Sequence, residues 1–241
     1  MASDITTYLR TEMSFVTSPF TILVEAQKLE EAFEAGHDPE LGETSFFLYG
    51  DAMRGFWNLR PVKTYQSCMS AVNMADEMAT LTKKEVGKGS EAHLTWLYRQ
   101  HAYARHLPAL AEKARRWSDD GDKIMADAYF MLFKAKKSFA IFSKEVLRSE
   151  DRFNLYCEAQ DAADEFFKYA DRVPNYKIGK INDVYNDLSF ISKQTEKICK
   201  CRINERLVGD LSKLERVPHP LKKRALQLVD LPQFNDSYKS P

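Results

Sequence analysis

The chain has 241 residues, of which 44% are hydrophobic and 12% aromatic, ample to bury a core and too apolar for a disordered polymer. Thirty-five Lys and Arg balance 35 Asp and Glu, which argues against a surface that clings to nucleic acid all round. The start, Met-Ala-Ser-Asp-Ile-Thr-Thr, lacks a secretory pattern and no run approaches the roughly 18 apolar residues of a membrane span, so neither export by that route nor membrane insertion is expected.

Ser3 starts a short expected helix carrying Ile5, Tyr8 and Leu9. Ser18-Pro19, followed by Ile22, Ala26, Leu29 and Phe33 with Gly36 behind, reads as a capped helix with proline at its first position and a glycine stop. His37–Gly42 reads as a loop, and residues 43–58 as an apolar stretch weakened by Gly50 and Gly55, where another backbone would pack close. Thr64–Glu85 carries Tyr65, Cys68, Val72, Ala75 and Ala79 in line, with Lys83 and Lys84 in the last turn.

Gly87-Lys88-Gly89 is the best internal linker, and Ser90 caps a helix carrying Leu94, Leu97, Tyr98 and Ala104 that Pro108 should kink or end. Leu110, Ala114 and Trp117 continue the apolar face. From Asp122 to Val173 there is no Gly or Pro. Met125, Ala128, Leu132, Ala135, Phe139, Phe142 and Val146 form one stripe, and Tyr156, Ala159, Ala163, Phe166 and Ala170 resume it after a helix start at Ser149-Glu150-Asp151. Ile181, Val184, Leu188, Ile191 and Ile198 define another long helix ending at Gly209, and Asp210 and Pro220 start two short ones.

About nine helices without an alternating strand pattern predict an all-α protein, a multi-helix bundle or a short array of helical hairpins. Residues 1–231 read as a single helical domain with a possible sub-boundary at 87–90, and residues 232–241 as a frayed tail. Ala163, Phe167, Ala170 and Pro174 approach a tetratricopeptide pattern, but no other segment repeats it at a fixed period. The four cysteines, Cys68, Cys157, Cys199 and Cys201, show no framework spacing, so reduced thiols and a cytoplasmic setting are expected.

Trp96 to His106 is the densest polar-aromatic patch, with Arg99, His101, Arg105 and His106 among Trp96, Tyr98 and Tyr103. Arg99 and His106 stand seven positions apart, near two helical turns, and would project into one cleft. This spacing resembles the Arg/His pattern of the HEPN helical ribonucleases. The resemblance implies a metal-independent cleavage in which His106 serves as general acid or base and Arg99 stabilises the phosphate. The plainer reading is a solvated helix face with aromatics buried behind it.

No metal or cofactor is expected: the five histidines never chelate from one helical face, Glu34-x-x-His37 has no second copy, and Asp119, Asp120 and Asp122 form a turn rather than a calcium loop. Gly87–Ser90 lacks the upstream glycine of a phosphate-binding loop.

Charge is unevenly spread. Residues 1–60 hold four Lys/Arg against ten Asp/Glu, whereas residues 172–241 hold fourteen against eight. The favoured expectation is a non-enzymatic protein that works by macromolecular contact, as scaffold, adaptor or self-assembling unit, with Glu30, Glu34, Trp96 and Tyr103 as interaction residues and a protein partner or a second copy as ligand. The alternative is an RNA-binding or nucleocapsid-like protein whose Lys193, Lys197, Lys200, Lys222, Lys223 and Arg224 track phosphates.

Overall fold

The computed structural model describes residues 18–57 and 59–206, with side chains to Ile198. The expected helices at Ser3, Asp210 and Pro220, the tail from residue 232, and Lys222, Lys223 and Arg224 lie outside the described residues. In chain order the elements are α1 (Pro19–Gly36), α2 (Pro39–Phe56), α3 (Pro61–Glu85), α4 (Glu91–Ala104), α5 (Leu107–Ala114), a 3-10 turn (Arg115–Trp117), α6 (Gly121–Phe142), α7 (Ser149–Ala170) and α8 (Ile178–Arg206). The protein is all-helical; among the described residues there is no strand, and the expected count of about nine helices is not matched. None of these helices is long and apolar enough to cross a membrane.

Local chemistry explains most boundaries. The Ser18 hydroxyl accepts the Phe20 amide ahead of Pro19, and His37 closes α1 in the left-handed conformation, donating its N–H to the Phe33 carbonyl. The expected loop at 37–42 is corrected by Asp38, whose carboxylate accepts the Glu40 amide and starts α2 at once. At the next proline, α4 ends at Ala104 and α5 begins at Leu107, because Pro108 has no N–H to continue the ladder. The stripe of α6 stops at Phe142. There the Ser143 hydroxyl donates to the Phe139 carbonyl, and Arg152 of α7 donates to the Ala140 carbonyl at 2.9 Å.

Two expectations fail at such ends: Val146 and Trp117, read as apolar-face residues, are 68% and 75% exposed because each lies where its helix has already unwound. The expected start at Ser149 holds: Ser149 is the first residue of α7, and Arg148 before it pairs with Asp151.

Packing divides between two large clusters, with a small third one of Phe153 and Cys157 against Ile198. Ile22, Ala26, Phe33, Phe46, Tyr49, Met74, Met78 and Trp96 join α1 to α4, while Tyr65, Cys68, Val72, Leu107, Phe133, Tyr156 and Phe166 join α3 to α5, α6 and α7. Tyr103 and Phe139 touch both. Each fully buried aromatic removes enough apolar surface to contribute about 1.5–3 kcal/mol. The glycines of α2 do permit close approach, chiefly to side chains: a Cβ on Gly50 would meet the Tyr103 hydroxyl and one on Gly55 would lie 2.6 Å from the Pro19 ring.

Charged groups fasten the helices from inside. Asp127 of α6 accepts from Tyr176 and from Lys180 of α8, both at 2.7 Å, and from Lys123 at 3.0 Å. Lys136 pairs with Glu158 of α7, Lys137 with Asp187 of α8, and Asp76 of α3 accepts from both Gln100 and Lys134.

Candidate functional site

A groove of about 770 Å³ opens between α4 and the end of α6. Leu94 and Tyr98 form one wall; Phe139, Ile141, Phe142 and the following stretch to Val146 form the other. The turn between α3 and α4 closes one end, reversing the chain through Gly87 and Gly89 at φ values of 113° and 82° that only glycine adopts freely. Ser90 caps α4 there, its hydroxyl accepting the His93 amide at 3.3 Å.

Beneath the groove the buried His93 ring meets Phe142 edge-on at 4.8 Å, and its Nδ1 accepts the Gly89 amide at 3.0 Å. Burial, then Lys83 and Lys88, lower its proton affinity, and the bond from Gly89 ties the ring to the turn. His101 stacks on Phe139 at 5.3 Å; burial and then Lys136 push its pKa down to about 4.

The groove is apolar inside and charged at its edge, where Lys88 and Lys144 stand with Glu91 and Glu145. Lys83 and Lys88 sit 5.5 and 5.1 Å from the centre of the Phe142 ring, a cation–π arrangement, and Lys144 lines the opposite rim beside Glu145. Among the described residues neither Lys83 nor Lys88 forms an ion pair. Glu91 is the carboxylate on the α4 side. Tyr98, 59% exposed, and Val146 leave the apolar lining open to solvent.

The structure separates Arg99 from His106. Arg99 lies over the Trp96 ring at 4.4 Å and the Phe47 ring at 5.0 Å, and donates to Glu43 at 2.9 Å, beside a smaller hollow of about 480 Å³. His106 stands past the end of α4, its Nε2 accepting from Arg105 at 3.4 Å and its ring facing Trp57. Glu43 and Trp57 mark opposite ends of α2, roughly 20 Å apart along its axis at 1.5 Å per residue. The two-turn spacing therefore fails as a shared cleft because the helix ends before His106.

Trp96 is buried, and Tyr103 is half-buried against Phe46, so both belong to packing more than to surface. Glu30 accepts the Tyr49 hydroxyl; burial, opposed by that bond and joined by Glu34 and Glu31, raises its pKa. Glu34 is exposed at the far end of the same helix. Lys193 and Lys197 are exposed one turn apart on α8, the side chain of Lys200 lying outside the described residues. No group of three or more His, Cys, Asp or Glu that could hold a metal exists among the described residues.

The groove escaped sequence reading because its parts come from three separate stretches; the exposed Tyr98 and the apolar Ile141–Phe142 beside Lys144 were its only local signs. The class defined by these observations is an all-α protein with an open, lysine-edged apolar groove. The chain matches no protein-family model, no curated protein and no solved structure.

Proposed function

We propose that this chain is a non-enzymatic interaction protein, a scaffold or adaptor in the cytoplasm, whose working part is the groove between α4 and α6. The observation that carries the reading is the groove's open apolar lining, Leu94, Tyr98, Phe139, Phe142 and Val146, under a rim that bears Lys83, Lys88 and Lys144. Apolar surface left in water next to a polar edge is what a protein interface looks like before its partner arrives. The lysines select a protein segment in which carboxylates flank apolar side chains.

A photo-crosslinking residue placed at Tyr98 tests the reading, with the same residue at the exposed Trp117 as control. Adducts to protein that form from position 98 and not from 117 support it; equal yields from both positions, or none from 98, overturn it.

Contact with single-stranded RNA is the second reading, supported by the exposure of Lys193 and Lys197 on one face of α8. Exchanging both for Gln should reduce the slope of log affinity against log salt by about 2 if both reach phosphates. An unchanged slope overturns that reading.

A further inference from the structure

We infer that the occupant of the groove is α1 of a second copy of this chain, so that copies join head to tail. The inference rests on the reading of the groove as a contact surface and adds the identity of what fills it. Two faces carry it, both open among the described residues and of opposite character.

The first face is the outside of α1. Ile22, Leu23, Ala26 and Phe33 turn inward to the core, which leaves Phe20, Val24, Gln27, Glu31 and Glu34 along the outer side at alternating steps of four and three. Phe20 and Val24 are 48% and 49% exposed, and Glu31 and Glu34 are exposed as well. The face thus begins apolar and ends acidic over about 21 Å. Lys28 lies at its edge, paired with Glu25 at 3.5 Å.

The second face is the groove, apolar at Leu94, Tyr98, Phe139 and Val146 and cationic at Lys83 and Lys88. Seating α1 there brings Phe20 and Val24 toward the apolar lining and Glu31 and Glu34 toward the lysines, which have no carboxylate of their own among the described residues. Glu91 and Glu145, the acidic groups on the rim, then face Lys28 at the middle of α1 or stay in water. A chain does not fill its own groove in this way, because its α1 is packed on α2 through Ile22, Leu23, Ala26 and Phe33, with the Phe20 ring edge-on to Phe56. The contact is therefore heterologous, one patch meeting a different one, and repeats into a ring or filament unless a copy lacks one face.

That geometry provides its own test in analytical ultracentrifugation of the full chain. Wild-type mass should rise with concentration across roughly 1–100 µM, the range suited to an interface built on one helix. A variant of the helix face, Val24→Arg with Glu31→Lys, and a variant of the groove, Tyr98→Glu with Lys88→Glu, should each stay monomeric alone. Mixed, they should form a 1:1 dimer that grows no further, since each retains the face the other has lost, and a dimer also proves that both variants fold. A wild-type monomer at every concentration, association of either variant at the wild-type level, or a mixture that stays monomeric overturns the inference. Crosslinks from position 98 to a different protein, found with a monomeric wild type, would overturn this inference while leaving the interaction reading in place; absence of both would remove the two together.

Discussion

Gly42→Ala tests the packing of α1, α2 and α3 where they converge. Two effects oppose one another. Alanine in place of glycine inside a helix is worth about 1 kcal/mol through backbone entropy. Against it, the new Cβ would lie 2.5 Å from the Met78 sulfur and 2.9 Å from a Phe33 ring carbon, where ordinary contact needs about 3.5–4.0 Å. Met78 and Phe33 are each only 2% exposed, so both must shift by about an ångström inside a filled core. Overpacking of that kind costs about 1–3 kcal/mol per site, and with two buried neighbours displaced the upper part of the range applies. The clash wins, and a net loss of about 1–2 kcal/mol is expected. For a chain of this size that lowers Tm by about 2–8 °C. Gly179→Ala is the control: the same substitution near the start of α8, with nothing within 4 Å of its Cβ, should be neutral or stabilise by up to about 1 kcal/mol. Urea unfolding followed by circular dichroism gives both values, with constant m showing that the unfolded states match. If Gly42→Ala were as stable as the wild type, or moved with Gly179→Ala, the close approach of Gly42 to Phe33 and Met78 would be refuted.

The pKa of His101, held down to about 4 by burial and Lys136, makes the folded chain the weaker proton binder below its unfolded value of about 6.5. Its stabilising effect is present in full above that value and is lost as pH falls from about 6.5 toward 4. His101→Leu should therefore flatten the fall in urea midpoint across that window, in part only because His93 and His106 shift in the same direction; an unchanged slope would refute it. Burial raises the Asp127 pKa, but Lys180, Tyr176 and Lys123 outweigh it and the net shift is downward. Its contribution is present above the unfolded value near 3.9 and is lost as pH falls through the lower folded one. Asp127→Asn should destabilise by about 2 kcal/mol at pH 7, with the gap to wild type closing toward pH 2; a gap independent of pH would count against the charge as cause. Burial pushes the Cys68 thiol up to about 12, and Cys157 is buried as well. Mass spectrometry after brief alkylation should find both unlabelled in the native protein and labelled in urea, and equal labelling would contradict their burial.

Much of the helical skeleton was legible in the residues themselves. Tyr65, Cys68, Val72, Ala75 and Ala79 were read as one stripe and are all buried in α3, as are Met125, Ala128, Leu132 and Ala135 in α6. The cap at Ser18 and the break before Pro108 were legible for the same reason: a hydroxyl, a missing N–H and a spacing of three and four act within a few residues. Reading failed where the cause lay elsewhere in the chain. Trp117 and Val146 match a stripe by number, yet their helices end before them. Arg99 looked like half of a site with His106 and is instead held by Glu43, 56 positions away.

The groove belongs to that second kind. The sequence by itself determined that the chain is helical, where most helices begin, and which residues each turns inward, because side-chain direction along a helix is a local property. Only the tertiary structure decided that Tyr98, Phe142 and Lys88 share one hollow while Phe20, Val24 and Glu31 face outward from another side. A hollow is the space that packed helices leave between them. It depends on how α4 meets α6 and where the chain turns at Gly87 and Ser143, and no single segment encodes that relation.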